Sequence, residues 1–215
     1  MPVLDDRDDD QGNIGTIRDG SEPPGEFDSV DIGHFIIDKN KIGDRTLGLS
    51  EDECEAIELA APMHDIGKMG VPDEILRKKG KFTSQEYEIM KNHSYMGFQI
   101  LSGSSSHFIN LGAVIALNHQ ERFDGSGYPS GIQGEEIPLP ARIVAVADVF
   151  DALTSVRPYK PAWPISQAVE YIREQSGVLF DPLCVDAFMS RLSKIHDYRI
   201  QLGDLDGDDG DETGA

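Results

Sequence analysis

Residues 63 to 68 read "MHDIGK", so a histidine and an aspartate stand side by side, His64 and Asp65. Two more histidines, His93 and His119, and a further carboxylate, Asp148, follow at intervals along the chain. Neutral imidazoles and carboxylates together form the usual ligand set for divalent transition metals, and a carboxylate beside a histidine can bridge two ions. With no thiolate in the set, iron, manganese or a similar ion in an open catalytic site is favoured over a closed structural zinc. Taken alone, "HD" reads equally well as a hydrogen-bonded core histidine next to a carboxylate neutralised by Lys68. The convergence of the other residues decides between the two.

That convergence depends on the elements that carry them. In "ECEAIELAAPMH", Ile57, Ala60, Ala61 and His64 recur at spacings of three and four, the period of one buried helix face, so His64 points inward. Gly67 supplies a helix stop and places Asp65 in the last turn, where its charge meets the negative end of the helix dipole at a cost of roughly 0.3–1 kcal/mol. Thr83 and Glu86 form a capping box that opens a helix with Tyr87, Met90, His93, Gly97 and Ile100 or Leu101 along one face. The helix in "FINLGAVIALNHQER" aligns Ile109, Ala113, Ala116 and His119. The helix "ARIVAVADVFDALTS" is apolar almost all round, which makes it the central buried element. A solitary carboxylate at its middle, Asp148, is strongly disfavoured unless paired, protonated or bound to metal. Two amphipathic helices follow, one around "ISQAVEYIREQ" and one opened by Asp181 as N-cap with Pro182 at the first helical position. No run of alternating strands interrupts them, and the fold expected is all-α.

The chain has 215 residues, 39% hydrophobic and 27% charged, with a formal net charge of −20. This balance suits one globular domain and argues against DNA or an anionic membrane as partner, so a phosphate-bearing substrate must be held by metal or local positive charge. Residues 1–26 and 199–215 are acidic and poor in large apolar residues, and are expected to be an irregular segment and a disordered tail flanking a domain over 27–198. The aspartates of the tail fail as a calcium loop, because Asp209 stands where the turn needs glycine. Two cysteines far apart, Cys54 and Cys184, and the lack of an apolar stretch near the roughly 18 residues of a membrane span point to a cytoplasmic setting.

The motifs "HDIGK", "ERFDGSGYPSG", "IPLPARIVAVADVFDALTSVRPYK" and "FDP", with His93 and His119 between them, resemble the HD-GYP subfamily of HD-domain metal-dependent phosphohydrolases over Leu47 to Leu192. The resemblance implies an HD-domain helical bundle with the metal centre in its core. It further implies hydrolysis of the bacterial second messenger cyclic di-GMP, to the linear dinucleotide or GMP, with two or three divalent metal ions. By position it makes His64, Asp65, His93, His119 and Asp148 metal ligands and Lys68 a charge stabiliser beside the scissile phosphate. Gly127, Tyr128 and Pro129 would shape the substrate pocket and contact a signalling protein partner, and Arg157 and Lys160 would hold substrate phosphates. Regulation by self-association, as a homodimer, is also compatible with it.

Two departures stand out. Gln120 follows His119 where the family usually shows a second histidine, and it offers metal only a neutral carbonyl oxygen. Upstream, "RDGSEPPGEF" echoes an E-T-G-x-H pattern but puts Phe27 in the histidine's place, leaving Glu22 and His34 as substitutes, and 27–46 fits the family's first helix poorly. Two readings follow: a working phosphodiesterase with an altered metal centre, or a degenerate module that binds nucleotide or a partner protein without turnover.

Overall fold

The computed structural model describes residues 47–155 and 161–192. The acidic segment 1–26, the segment 27–46, Arg157, Lys160 and the 199–215 tail lie outside the described residues, as do Glu22, Phe27 and His34. Seven α-helices follow one another without a strand among the described residues; an isolated bridge joins Ser176 and Phe180. The expected all-α architecture is what the sequence builds.

Helix α1 (Glu51–Ala60) starts at a capping box in which Ser50 accepts from the Glu53 amide and the Glu53 carboxylate accepts from the Ser50 amide. Glu51, Asp52 and Glu53 place negative charge at the positive end of the helix. Ile57, Ala60, Ala61 and His64 are all buried, as their spacing implied. Yet α1 stops at Ala60, and Pro62, which lacks an amide donor, redirects the chain into two 3-10 turns, Ala61–Met63 and Ile66–Gly70. Asp65 therefore stands at the head of the second turn rather than in the last turn of an α-helix, and the dipole penalty expected of it does not arise.

Gly67 holds this turn against helix α3 (Ser84–Leu101). A Cβ added at Gly67 would lie 1.9 Å from the His93 carbonyl oxygen and 2.4 Å from the Gly97 nitrogen, so only glycine permits the approach. Between them lies the short helix α2 (Asp73–Leu76), whose Ile75 and Leu76 pack with Val71 and Met90 in a small apolar cluster. Helix α3 opens at the expected Thr83 and Glu86 capping box, reinforced by an ion pair from Lys78 to Glu86. Its buried stripe is Met90, His93, Ser94 and Gly97; Ile100 lies outside it at 55% exposure, because the helix end overruns the core.

Helices α4 (His107–Asn118) and α5 (Leu139–Thr154) complete the centre, with α5 buried along most of its length. Its apolar girth, Ile143, Val146, Val149, Phe150 and Leu153, packs against Ile57, Ile115, Ile172, Phe180 and Phe188 in one core. The rings of Phe150 and Phe188 meet edge to face with centroids 5.0 Å apart. Helices α6 (Ile165–Glu174) and α7 (Pro182–Met189) cover the far side of α5. Asp181 caps α7 by accepting from the Leu183 amide at 2.8 Å and also pairs with Arg142 of α5, whose Nε donates to the Ile137 carbonyl at 2.8 Å.

The Asp181 and Arg142 side chains are 3% and 12% exposed, so removing either partner strands a charge in the interior. Asp181→Ala is expected to lower the unfolding free energy by about 3–5 kcal/mol, read by urea denaturation. Asp181→Asn, which retains a cap acceptor, should cost less.

Candidate metal centre

Three histidines from three different elements use the same local device. His64 Nδ1 lies 2.8 Å from the Ala61 carbonyl oxygen, His93 Nδ1 2.7 Å from that of Met90, and His119 Nδ1 3.0 Å from that of Ala116. A carbonyl only accepts, so each Nδ1 carries the hydrogen and each Nε2 presents its lone pair away from its own backbone. The Nε2 atoms of His93 and His119 are 3.4 Å apart, and the rings of His64 and His119 meet edge-on with centroids at 5.1 Å.

Asp65 stands between these imidazoles. Its Oδ2 is 3.1 Å from His64 Nε2 and 2.9 Å from Lys68 Nζ. Its Oδ1 is 3.5 Å from His93 Nε2 and 3.6 Å from His119 Nε2, and it is buried without a hydrogen-bond partner. Asp148, half-buried on α5, brings its Oδ1 to 3.9 Å from His64 Nε2. Asp65, His93 and His119 offer one ligand atom each within 4.8 Å of one another, a grouping that could hold a metal ion. The chemistry of the donors fits that reading: the Nε2 atoms of His93 and His119 face Asp65 Oδ1, which has no hydrogen-bond partner, and such a meeting of acceptors is favourable with a cation among them.

The electrostatics reflect the same need. Burial opposes charge on His64, but the Asp65 and Asp148 carboxylates outweigh it and raise its pKa to about 9. Burial also opposes ionisation of Asp65, yet Lys68 and His64 hold its carboxyl well below the usual range. Lys68 keeps its proton more firmly than an ordinary lysine because the Asp65 carboxylate overcomes the effect of burial. His93 goes the other way, since burial pushes it down to about 4.

The GYP loop closes over one side. A Cβ at Gly127 would lie 2.3 Å from the Arg122 nitrogen, so the loop folds back on the segment after His119 only because this residue is glycine. The Tyr128 amide donates to the Gln120 carbonyl at 3.2 Å, and its ring stands edge-on to His93 at 6.3 Å. The peptide between Tyr128 and Pro129 is cis, and Pro129 is exposed. Gln120 is buried beside His119 and serves the loop through its backbone carbonyl.

Sequence reasoning missed Glu121. It is 2% exposed, and its Oε1 accepts from the Ser130 amide at 2.7 Å and the Gly131 amide at 3.2 Å, pinning the loop just beyond Pro129. Burial raises its pKa against the pull of those amides. The only signal was its place in "NHQERFDG", where a carboxylate directly follows an inward-facing stretch.

The histidines make the stability of the metal-free protein pH-dependent from both sides. His64 binds its proton more tightly when folded, so its contribution is full below its ordinary 6.5 and is lost as pH rises through about 9. His93 binds its proton less tightly when folded, so stability falls as pH drops from 6.5 toward about 4. Titration of the ring resonances by NMR, with metal chelated, should find His64 doubly protonated at about pH 8 and His93 neutral at about pH 5.

Residues 40–183 match the model of the HD domain family. The chain is 59% identical over 143 residues to the cyclic di-GMP phosphodiesterase response regulator RpfG of Xanthomonas campestris pv. campestris, covering 66% of this chain and 38% of that protein. It is 52% identical over 151 residues to a cyclic di-GMP phosphodiesterase of Thermotoga maritima, covering 70% of this chain and 41% of that one. The chain thus spans about two fifths of the length of these curated relatives. Among solved structures, a cyclic GMP-AMP specific phosphodiesterase of Vibrio cholerae shares the fold, with a TM-score of 0.56 at 21% identity, covering 91% of this chain and 50% of that one. The chain belongs to the HD domain family.

Proposed function

We propose that this chain carries a metal-dependent phosphodiesterase centre that hydrolyses cyclic di-GMP to the linear dinucleotide or GMP in bacterial second-messenger signalling. The observation that carries the reading is the split of Asp65: Oδ2 faces His64 and Lys68, and Oδ1 faces His93 and His119. Curated relatives sharing more than half their aligned residues with the chain are named cyclic di-GMP phosphodiesterases, which supports this substrate.

In this reading His64, Asp65, His93, His119 and Asp148 would together hold two divalent ions, with Asp65 shared between them. The all-nitrogen-and-oxygen donor set suits iron or manganese. Such ions, when bound, lower the pKa of water and offset charge on a phosphodiester. The protein's own residues do the rest. The backbone carbonyls of Ala61, Met90 and Ala116 fix the three imidazoles in orientation and tautomer. Lys68, kept charged by Asp65, places a hydrogen-bond donor where negative charge develops on the phosphoryl oxygens. Tyr128, seated on His93, walls the centre on the loop side and limits access of bulk water. Arg157 and Lys160 supply the remaining phosphate contacts, and the exposed Pro129 gives the loop a face toward a protein partner. A cytoplasmic location accords with a nucleotide second messenger, and no helix among the described residues is long and apolar enough to cross a membrane.

The test is to load the purified protein with ferrous iron or manganese without oxygen, add cyclic di-GMP and resolve the nucleotides over time by chromatography. Linear dinucleotide or GMP is expected, with none from Asp65→Ala. Lys68→Met should retain metal and lose roughly 10²–10³-fold in kcat. Metal and nucleotide binding without product would overturn the enzymatic reading in favour of a binding module.

A further inference from the structure

Beside the candidate metal centre lies a cluster of which the reading above uses only Tyr128. Tyr87 and Lys91 are one turn apart on α3, on the strip flanking the buried Met90 and His93. The Tyr128 ring is edge-on to Tyr87 at 6.3 Å and 80°, as it is to His93 at 6.3 Å and 82°. Lys91 Nζ lies 5.1 Å from the centroid of Tyr87 and 5.8 Å from that of Tyr128. Its ion-pair partner Glu88 is 2.5 Å away, but that carboxylate is 69% exposed and sits on the solvent side, whereas the Lys91 side chain is only 26% exposed.

Helix stability does not require this arrangement. An exposed pair three residues apart is satisfied anywhere along a helix, and it gives no reason for two phenol rings from different elements to meet under one ammonium. What the cluster offers is a pair of partly buried aromatic rings with a positively charged donor held over both, one ring away from His93. The phosphodiester groups of a cyclic dinucleotide belong to the centre and Lys68. Its purine bases remain to be held, and they present flat faces that stack on aromatic rings. Guanine shows two acceptors, O6 and N7, on one edge, which suits a lysine, whereas adenine sets an amino donor beside N7 and opposes it.

We propose that Tyr87, Lys91 and Tyr128 form a guanine-base subsite, in which one base of the substrate stacks against the tyrosines and turns its O6 and N7 edge to Lys91. This rests on the reading of the centre as a cyclic dinucleotide phosphodiesterase. Lys91 and Tyr87 are specificity-determining residues in this assignment. Their loss weakens binding of guanine-bearing substrates and leaves the chemical step intact.

The experiment compares wild type, Lys91→Met and Tyr87→Leu as manganese-loaded proteins, with cyclic di-GMP, cyclic di-AMP and bis(4-nitrophenyl) phosphate as substrates. Lys91→Met should raise KM for cyclic di-GMP about tenfold and reduce its preference over cyclic di-AMP by a similar factor. The kcat and the turnover of bis(4-nitrophenyl) phosphate, which has no purine, should not change. An unaltered KM and preference, or an equal loss with bis(4-nitrophenyl) phosphate, would overturn the subsite. If wild type turns over no cyclic dinucleotide, the phosphodiesterase reading falls, and calorimetric titration of the same three proteins with cyclic di-GMP decides the subsite separately. Weaker binding by about tenfold in both variants sustains it. Equal affinities, or no binding by wild type, sink it.

Discussion

Everything in the centre depends on one electrostatic constraint: several hydrogen-bond acceptors point at the same small volume. Three imidazoles give their Nδ1 hydrogens to carbonyls three residues earlier and so turn their Nε2 atoms toward Asp65. Asp65 answers with two carboxylate oxygens, one of them buried without a hydrogen-bond partner. Such a cluster is unfavourable without positive charge. A proton on His64 and the ammonium of Lys68 supply part of it, and the donor types suit divalent ions for the remainder.

The fold exists in a form that brings these groups together because backbone meets backbone at glycine. Gly67 lets the turn carrying Asp65 approach the peptide groups of His93 and Gly97, which no side chain would allow. Gly127 does the same for the loop carrying Tyr128 against Glu121 and Arg122. Glu121 then fastens the far end of that loop through the amides of Ser130 and Gly131. Two turns are thereby fixed on α3 and on the end of α4, and the residues they carry share one space. The apolar mass of α5 supports this from below and contributes Asp148.

Much of this was legible in the sequence, for reasons that differ from residue to residue. Helical period alone placed His64, His93 and His119 on buried faces, because each lies three or four residues from small apolar neighbours. The caps at Thr83 and Asp181 were readable because they are local chemistry. The path of the chain around Asp65 was not, since a proline and a close backbone contact replaced an α-helical ending with two 3-10 turns. Ile100 lost its place in the stripe because periodicity says nothing about where a core ends. The meeting of Tyr87 and Lys91 with Tyr128 was invisible because it joins elements far apart in sequence, and Glu121 was missed because only the fold of the loop brings the Ser130 and Gly131 amides back to its carboxylate. The sequence offers the Gln120 side chain as a weak ligand; that its backbone carbonyl holds Tyr128 is not legible there.

The reading of the centre rests on Asp65, which would be shared between two divalent ions held with His64 and Asp148 and with His93 and His119. Crystals grown with manganese and measured on both sides of the manganese absorption edge test it most directly. The account predicts two anomalous peaks, one among His64, Asp148 and Asp65 Oδ2 and one among His93, His119 and Asp65 Oδ1. No peak in this space, or peaks that leave Asp65 uncoordinated, would contradict it.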